Sequence, residues 1–226
     1  MLFQTKAFVV LAPAYVQEIA TLMGEAFDIA DIYRTPVMLL ADGALGQMME
    51  PVDFEAKRER ALPEKTWAAC GHGNQRKHNI VNSLYIEPET LENTVLARYE
   101  RYKAIEENEV QYDEYMTEDA EICVVAYGIT ARIVKTAVKA AREMGIKAGL
   151  FRPITLYPFP EKQLNALADK AKCFLSVEMN MGQMVNDIKL AIECKKKVYH
   201  YGRTGGMIPS PEEILQKITE YSGGNA

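Results

Sequence analysis

Residues 123–160, CVVAYGITARIVKTAVKAAREMGIKAGLFRPITLYPFP, constrain the fold more than any other stretch of the chain. An apolar run from Ile122 to Ala126 meets a glycine turn at Gly128. An amphipathic helix follows, then a second short apolar run and a proline-bounded loop. In the helix, Ile133, Val134, Ala137, Val138, Ala141 and Met144 recur at three- and four-residue spacing and define one apolar face. Arg132, Lys135, Lys139, Arg142 and Glu143 fall mainly on the other. Thr130 is placed to cap the helix start, and Gly145 stands where a left-handed C-terminal residue is wanted. Strand, helix and strand in this order make a βαβ unit, which dictates a parallel sheet and a right-handed crossover.

A second such unit precedes it. Ala7–Ala12 reads as a strand, and a helix from about Ala14 to Tyr33 carries Val16, Ile19, Ala20, Met23, Phe27 and Ala30 on an apolar face. Arg34-Thr35-Pro36 breaks that helix, Val37–Ala41 is another strand, and Asp42-Gly43 is a turn. A parallel sheet of two strands cannot bury its own faces. The sequence therefore predicts that further strands come from another chain or from the N-terminal part of a larger domain. From Gly46 to Tyr85 periodicity fades, which marks a long connection of the kind that is functional or partner-bound. Pro88 opens a charged helix predicted to run to about Tyr115, with Leu91, Val95, Tyr99, Tyr102 and Ile105 as a narrow stripe lying across a surface.

From about Thr117 the pattern is compact. After the βαβ unit come a helix from Pro160-Glu161, a strand at Cys173–Val177, a helix from Gln183 to Cys194 and a strand at Val198–Tyr201. Ser210-Pro-Glu-Glu213 is a capping box with proline at the first helical position, and it starts the last helix. The fold class is α/β, an open and mainly parallel sheet with helices on both faces, preceded by a partial α/β domain and a long linker. The expected boundaries are 1–52, 53–116 and 117–226.

Composition excludes several functions. The net charge of -5 leaves no basic surplus to neutralise phosphates, against a non-specific nucleic-acid binder. No apolar stretch approaches the roughly 20 residues that span a bilayer. The four cysteines, Cys70, Cys123, Cys173 and Cys194, form no CxxC pair. They read as reduced thiols of a cytoplasmic protein, and in no familiar spacing do they hold an iron–sulfur cluster.

The candidate sites lie at strand ends. Gly128 brings a helix N-terminus within reach of a phosphate, or is simply a tight strand-to-helix turn. Arg152, at the end of the second strand of the central unit, pairs either a ligand carboxylate or phosphate, or an internal acid such as Glu178. Glu178, Asn180 and Gln183 line an interface or a cofactor cleft, or form a helix-start loop with Asn180 as cap; Gly182 permits close approach there. Met179, Met181 and Met184 suit an adaptable apolar contact surface. Arg203, Gly205 and Gly206 form a loop that contacts a partner subunit or a phosphate-bearing ligand. Cys70, His72 and His78 lack a fourth ligand, so an irregular loop is preferred over zinc. His200 reads as a packed strand histidine.

YGITARIVKTAV, GIKAGLFRPITLYPFP, VEMNMGQM and GRTGGMIPSPEEI resemble the transketolase-C-like domain of the α subunit of 2-oxoacid:ferredoxin oxidoreductases. LAPAYVQE and AFDIADIYRTPVMLLADGALGQMMEPV resemble the end of that subunit's pyrimidine-binding domain. The 2-oxoisovalerate type is most similar, through DGALGQMMEPV; the 2-oxoglutarate and pyruvate types are alternatives. The resemblance implies oxidative decarboxylation of a 2-oxoacid to acyl-CoA and carbon dioxide, with electrons passing to ferredoxin. It implies thiamine diphosphate with Mg2+ and iron–sulfur clusters, held mainly by partner subunits of β, γ and ferredoxin-like δ type, and a homodimer contact. It favours the structural reading of Gly128. The family's activating glutamate lies in an N-terminal part that precedes anything matched here. The chain is therefore expected to be a fragment or split subunit without turnover of its own, with a non-catalytic assembly module or an independent small-molecule-binding protein as alternatives.

Overall fold

A computed structural model describes residues 8–54 and 60–223. The chain enters through strand β1 (Val9–Leu11), helix α1 (Val16–Tyr33) and strand β2 (Val37–Leu39), and β1 and β2 pair in parallel. Arg34, in the left-handed region at φ 49°, ends α1 just before Pro36. The helix does not bury the stripe expected of it. Leu22, Glu25, Ala26 and Ile29 face the sheet, whereas Met23 is 44% and Phe27 70% exposed. Two apolar stripes run along α1, and the sheet takes the one spaced 22, 26, 29.

The third strand of this sheet comes from within the chain. After the 3₁₀ turn Leu45–Gln47 and a long stretch without regular structure come helix α2 (Pro88–Asn108) and strands β3 (Tyr112–Tyr115) and β4 (Ile122–Val125). Helix α3 (Gly128–Glu143) leads to β5 (Ala148–Pro153), and β6 (Thr155–Tyr157) begins two residues later. Strand β6 pairs antiparallel with β1, giving the order β2-β1-β6. The proline-bounded loop expected at 153–160 is thus partly a strand that couples the two sheets. Ala12 N–H donates to Ile154 O at 2.8 Å, and Gln111 O accepts from the N–H groups of Ile154 and Thr155. Leu156 and Tyr157 join Val9, Leu11, Leu22, Ile29 and Ile105 in one apolar cluster.

Helix α2 ends at Asn108, short of the predicted Tyr115, because Tyr112–Tyr115 becomes an antiparallel edge strand on β5. The five-stranded sheet therefore begins at Tyr112, before the predicted start at Thr117. Of the α2 stripe, Ile105 is buried and Tyr102 half-buried, while Leu91, Val95 and Tyr99 stand exposed. Only the last turns of α2 pack.

The remaining elements are α4 (Glu161–Ala168), β7 (Cys173–Glu178), α5 (Met184–Ala191), β8 (Lys197–Gly202) and α6 (Pro211–Ser222). Strand order is β3-β5-β4-β7-β8, parallel except for β3. Strand β4 is apolar throughout because both its faces are covered. Ile122 and Val124 meet Val134 and Val138 of α3 and Ile214 and Ile218 of α6. Cys123 and Val125 meet Leu164 of α4 and Met184 and Ile188 of α5. Each fully buried large aliphatic side chain contributes about 1.5–3 kcal/mol, so this two-sided core holds the domain.

Helix ends follow the sequence in two cases and depart from it in one. Gly145, at φ 82°, closes α3, with Ile146 N–H donating to Ala141 O and Gly145 N–H to Arg142 O. Ser210 and Glu213 complete the capping box of α6. Thr130, expected to cap α3, lies inside it and is buried, because the helix starts two residues earlier at Gly128. Among the described residues no helix is long and apolar enough to cross a membrane.

The cysteines divide by burial. Cys123 and Cys173 are buried, and burial pushes both thiols up, while Cys70 and Cys194 are exposed. Because the thiolate is the reactive form, a thiol-reagent time course on the native chain is expected to show two fast and two slow groups, all four becoming fast on unfolding.

Candidate functional site

The C-terminal ends of β4, β7 and β8 lie together at one end of the larger sheet, where open α/β sheets bind ligands. Glu178 ends β7 and is buried. Its carboxylate accepts from Met184 N–H at 2.9 Å and from the Ser176 hydroxyl at 2.7 Å, and His200 Nδ1 lies 3.7 Å away. It thus fastens the start of α5 to the strand it follows. Asn180 Oδ1 accepts from the N–H groups of Gly182 and Gln183, which makes it the cap of the loop, and Asn180 Nδ2 reaches the Tyr127 hydroxyl at 3.4 Å. Burial, and then the charge of Glu178, push that hydroxyl up to about 12. Met184 is buried, Met179 half-buried and Met181 85% exposed, so of the three methionines Met181 is the one offered outward.

The adjacent loop is tied to this one. Arg203 N–H donates to Glu178 O at 3.2 Å, and the Arg203 guanidinium is held by Glu213 of α6 at 2.5 Å. Gly205 and Gly206, at φ 66° and 86°, carry the loop outward into solvent. Glu178, Asn180, Gln183 and Arg203 therefore form one cluster, joined by Tyr127 and His200. Gly202 is the close-packing point: a Cβ there would lie 2.2 Å from Asn180 O.

Gly128 and Arg152 are engaged elsewhere, both by the N-terminal segment. Ile129 N–H donates to Asp42 Oδ2 at 3.0 Å, and Leu45 N–H donates to Asp42 Oδ1 at 2.8 Å. Asp42 is thus the N-terminal cap of α3. Its carboxylate occupies the helix end where a phosphate would sit, and Gly128, at φ 61°, leaves it room. Asp42→Ala is expected to destabilise the chain by about 1–2 kcal/mol, and Asp42→Asn by much less, in a urea titration.

Arg152, 4% exposed, pairs with Glu18 of α1 at 2.6 Å and not with Glu178. Strands β5 and β7 flank β4 on opposite sides, so the two end residues are not neighbours. Glu18 also accepts from Ala14 N–H. Nearby, Glu50 accepts from Val16 N–H and pairs with Arg132 of α3 at 2.8 Å; these two contacts, in that order, hold its carboxyl below the usual range. Arg132 and Arg152 both lie over the Tyr15 ring. Sequence reasoning missed Asp42 and Glu18. The Asp-Gly dipeptide signals a turn, and nothing local shows that its carboxylate caps a helix 87 residues on.

His72 and His78 meet edge to face with ring centroids 4.4 Å apart. Among the described residues no three His, Cys, Asp or Glu side chains are grouped to hold a metal ion. The glycine-turned helix start singled out in the sequence is filled by Asp42.

Residues 1–127 match the family described as pyruvate flavodoxin/ferredoxin oxidoreductase, thiamine diphosphate-binding, and residues 120–214 match pyruvate:ferredoxin oxidoreductase core domain II. The chain is 48% identical to ketoisovalerate oxidoreductase subunit VorB of Methanothermobacter marburgensis, over 95% of its own length and 60% of that protein's. It is 30% identical to 2-oxoglutarate synthase subunit KorA of the same organism, over 93% of this chain and 63% of that one. The chain thus spans about three fifths of the length of the curated relatives it matches. A solved 2-oxoglutarate:ferredoxin oxidoreductase from Magnetococcus marinus, with 2-oxoglutarate, coenzyme A and succinyl-CoA bound, superposes with a TM-score of 0.73 at 18% identity, covering 95% of this chain and 42% of that one. That likeness shows the α/β architecture through both sheets. By the match over residues 1–127, more than half of its length, the chain belongs to the pyruvate flavodoxin/ferredoxin oxidoreductase family.

Proposed function

We propose that the chain forms part of the α subunit of a 2-oxoacid:ferredoxin oxidoreductase whose substrate is the branched-chain 2-oxoisovalerate. The observation that carries this reading is the 48% identity to a ketoisovalerate oxidoreductase subunit, sustained over nearly the whole chain. The reaction converts the 2-oxoacid and coenzyme A to acyl-CoA and carbon dioxide, with electrons passing to ferredoxin. Thiamine diphosphate supplies the carbanion chemistry of decarboxylation when bound. Magnesium, the diphosphate and the iron–sulfur clusters belong to β, γ and δ partner subunits of a cytoplasmic complex. The described residues of this chain supply rigid surface. Glu178, Asn180, Gln183 and Arg203, with Gly205 and Gly206, present an interface or ligand edge. Two domains at about 1–52 and 117–226, the second extended by the edge strand Tyr112–Tyr115, are connected by the linker 53–116 and joined in a homodimer.

The experiment is reconstitution. The purified chain is mixed with the thiamine-binding and cluster-bearing subunits, and with the α-subunit segment that carries the activating glutamate, and assayed for viologen reduction dependent on coenzyme A and a 2-oxoacid. The expected order is 2-oxoisovalerate above pyruvate and 2-oxoglutarate. Turnover by the lone chain, or a preference for another oxoacid, would contradict the reading. A mixture that assembles without turnover would favour the second reading, a non-catalytic assembly module, which the filling of the Gly128 helix start by Asp42 supports.

A further inference from the structure

A cleft of about 580 Å³ opens where α2, the β6–α4 segment and α5 meet. Its size falls in the range of small-ligand sites. Leu156, Phe159 and Val110 form apolar wall, with Pro158 beside them. The feature that sets it apart is Asp187, which lines the cleft and is 4% exposed. Neither of its carboxylate oxygens has a hydrogen-bond partner among the described residues.

A buried carboxylate without donors is costly. Its group loses hydration without replacement, a penalty that native proteins avoid unless something occupies the site. Burial above all pushes the Asp187 carboxyl up from the usual carboxylate range; the positive charge of the chain's amino terminus acts against it, and the charges of Glu178 and Glu161 add to it. The rest of the lining does not relieve it. Glu106, Glu107 and Glu161 add negative charge. Of the two lysines, Lys103 is held by Glu100 at 2.7 Å, and Lys162 stands exposed on α4. The cleft is therefore net acidic, partly apolar and centred on an unused acceptor.

We propose that this cleft binds a cationic planar nitrogen group, a guanidinium or amidinium, with Asp187 accepting its paired N–H donors. Such a fork matches the two carboxylate oxygens, and its weak hydration makes it the cation most easily moved into a partly apolar site. The apolar wall at Leu156 and Phe159 covers the flat face of the group. The source is either a free small molecule or an arginine of another subunit.

Benzamidine and its neutral isostere benzamide are the probes, applied to the full-length chain with the Asp187 side-chain carboxyl followed by carbon NMR. Benzamidine is expected to lower the Asp187 titration midpoint by about one unit, equivalent to about a tenfold difference in affinity between the ionised and protonated site. Benzamide is expected to leave it in place. Asp187→Asn, close in shape, is expected to weaken benzamidine binding about tenfold or more, with an unchanged amide spectrum as the check on folding. Glu107→Gln tests the rim without touching the core acceptor and is expected to weaken binding only slightly. Equal effects of the two probes, or undiminished benzamidine binding by Asp187→Asn, would overturn the proposal. A second arm separates the sources and rests on the assembly proposed above. If the assembled subunits lower the Asp187 midpoint themselves and block benzamidine, the group is a partner's arginine. If benzamidine still binds the assembly, the ligand is a small molecule. Both outcomes support the cationic site, and the first arm stands whether or not assembly occurs.

Discussion

Glu18→Gln is expected to cost about 1.5–3 kcal/mol of folding stability, although it changes one atom of a half-exposed side chain on a surface helix. The reason lies in the partner. Arg152 has a side chain 5% exposed, and its guanidinium cannot shed its charge. Glu18 is its ion-pair partner among the described residues, at 2.6 Å, and the Tyr15 ring is the other cation-binding group beside it. Ala14 N–H and the Arg152 guanidinium donate to the same Glu18 Oε2, and a glutamine oxygen in its place would still accept from both, so the substitution isolates the charge. Arg152→Met should cost less, because the remaining carboxylate is 26% exposed and can be hydrated. The double variant should be more stable than Glu18→Gln alone. Urea unfolding midpoints of the three variants measure this, and a Glu18→Gln cost under about 1 kcal/mol would mark the pair as an ordinary surface ion pair.

Gly202→Ala carries the second large effect. The added Cβ would sit 2.2 Å from Asn180 O and 2.7 Å from His200 Nε2. The first obstacle is backbone, so the loop that follows β7 must move. Overpacking of this kind costs about 1–3 kcal/mol, and backbone displacement puts this site at the upper end or beyond. For a chain of this size about 3 kcal/mol lowers Tm by roughly 6–12 °C. Gly46→Ala is the control: a Cβ there meets nothing within 4 Å, so calorimetry should find it close to wild type. Because Glu178 O also accepts the Arg203 N–H, the Gly202 variant should loosen both loops of the proposed interface together, seen as faster amide exchange at 180–183 and 203–206.

The larger sheet is legible in the sequence because its signals are local. An apolar run such as Ile122–Ala126, a glycine at Gly145 and the Ser210–Glu213 box each specify their own structure within a few residues. What the sequence hides is carried by distant pairs. Strand β6 is three residues long and looks like a loop until β1 lies beside it. The α1 face is ambiguous because the helix is apolar on two sides, and periodicity alone cannot say which side the sheet will take. Asp42 and Glu18 are ordinary surface acids in the sequence. Their roles appear only when the N-terminal segment lies against α3 and β5. The site residues divide in the same way: Asn180 as a loop cap is local, whereas the partner of Arg152 is not.

On the proposed function, this chain lends structure and surface to a thiamine-dependent oxidoreductase without itself holding the diphosphate. Calorimetric titration of the isolated chain with thiamine diphosphate and Mg2+ tests it most directly. No saturable binding by the chain alone is expected, and binding once the partner subunits are added. Stoichiometric, magnesium-dependent binding by the lone chain would contradict it.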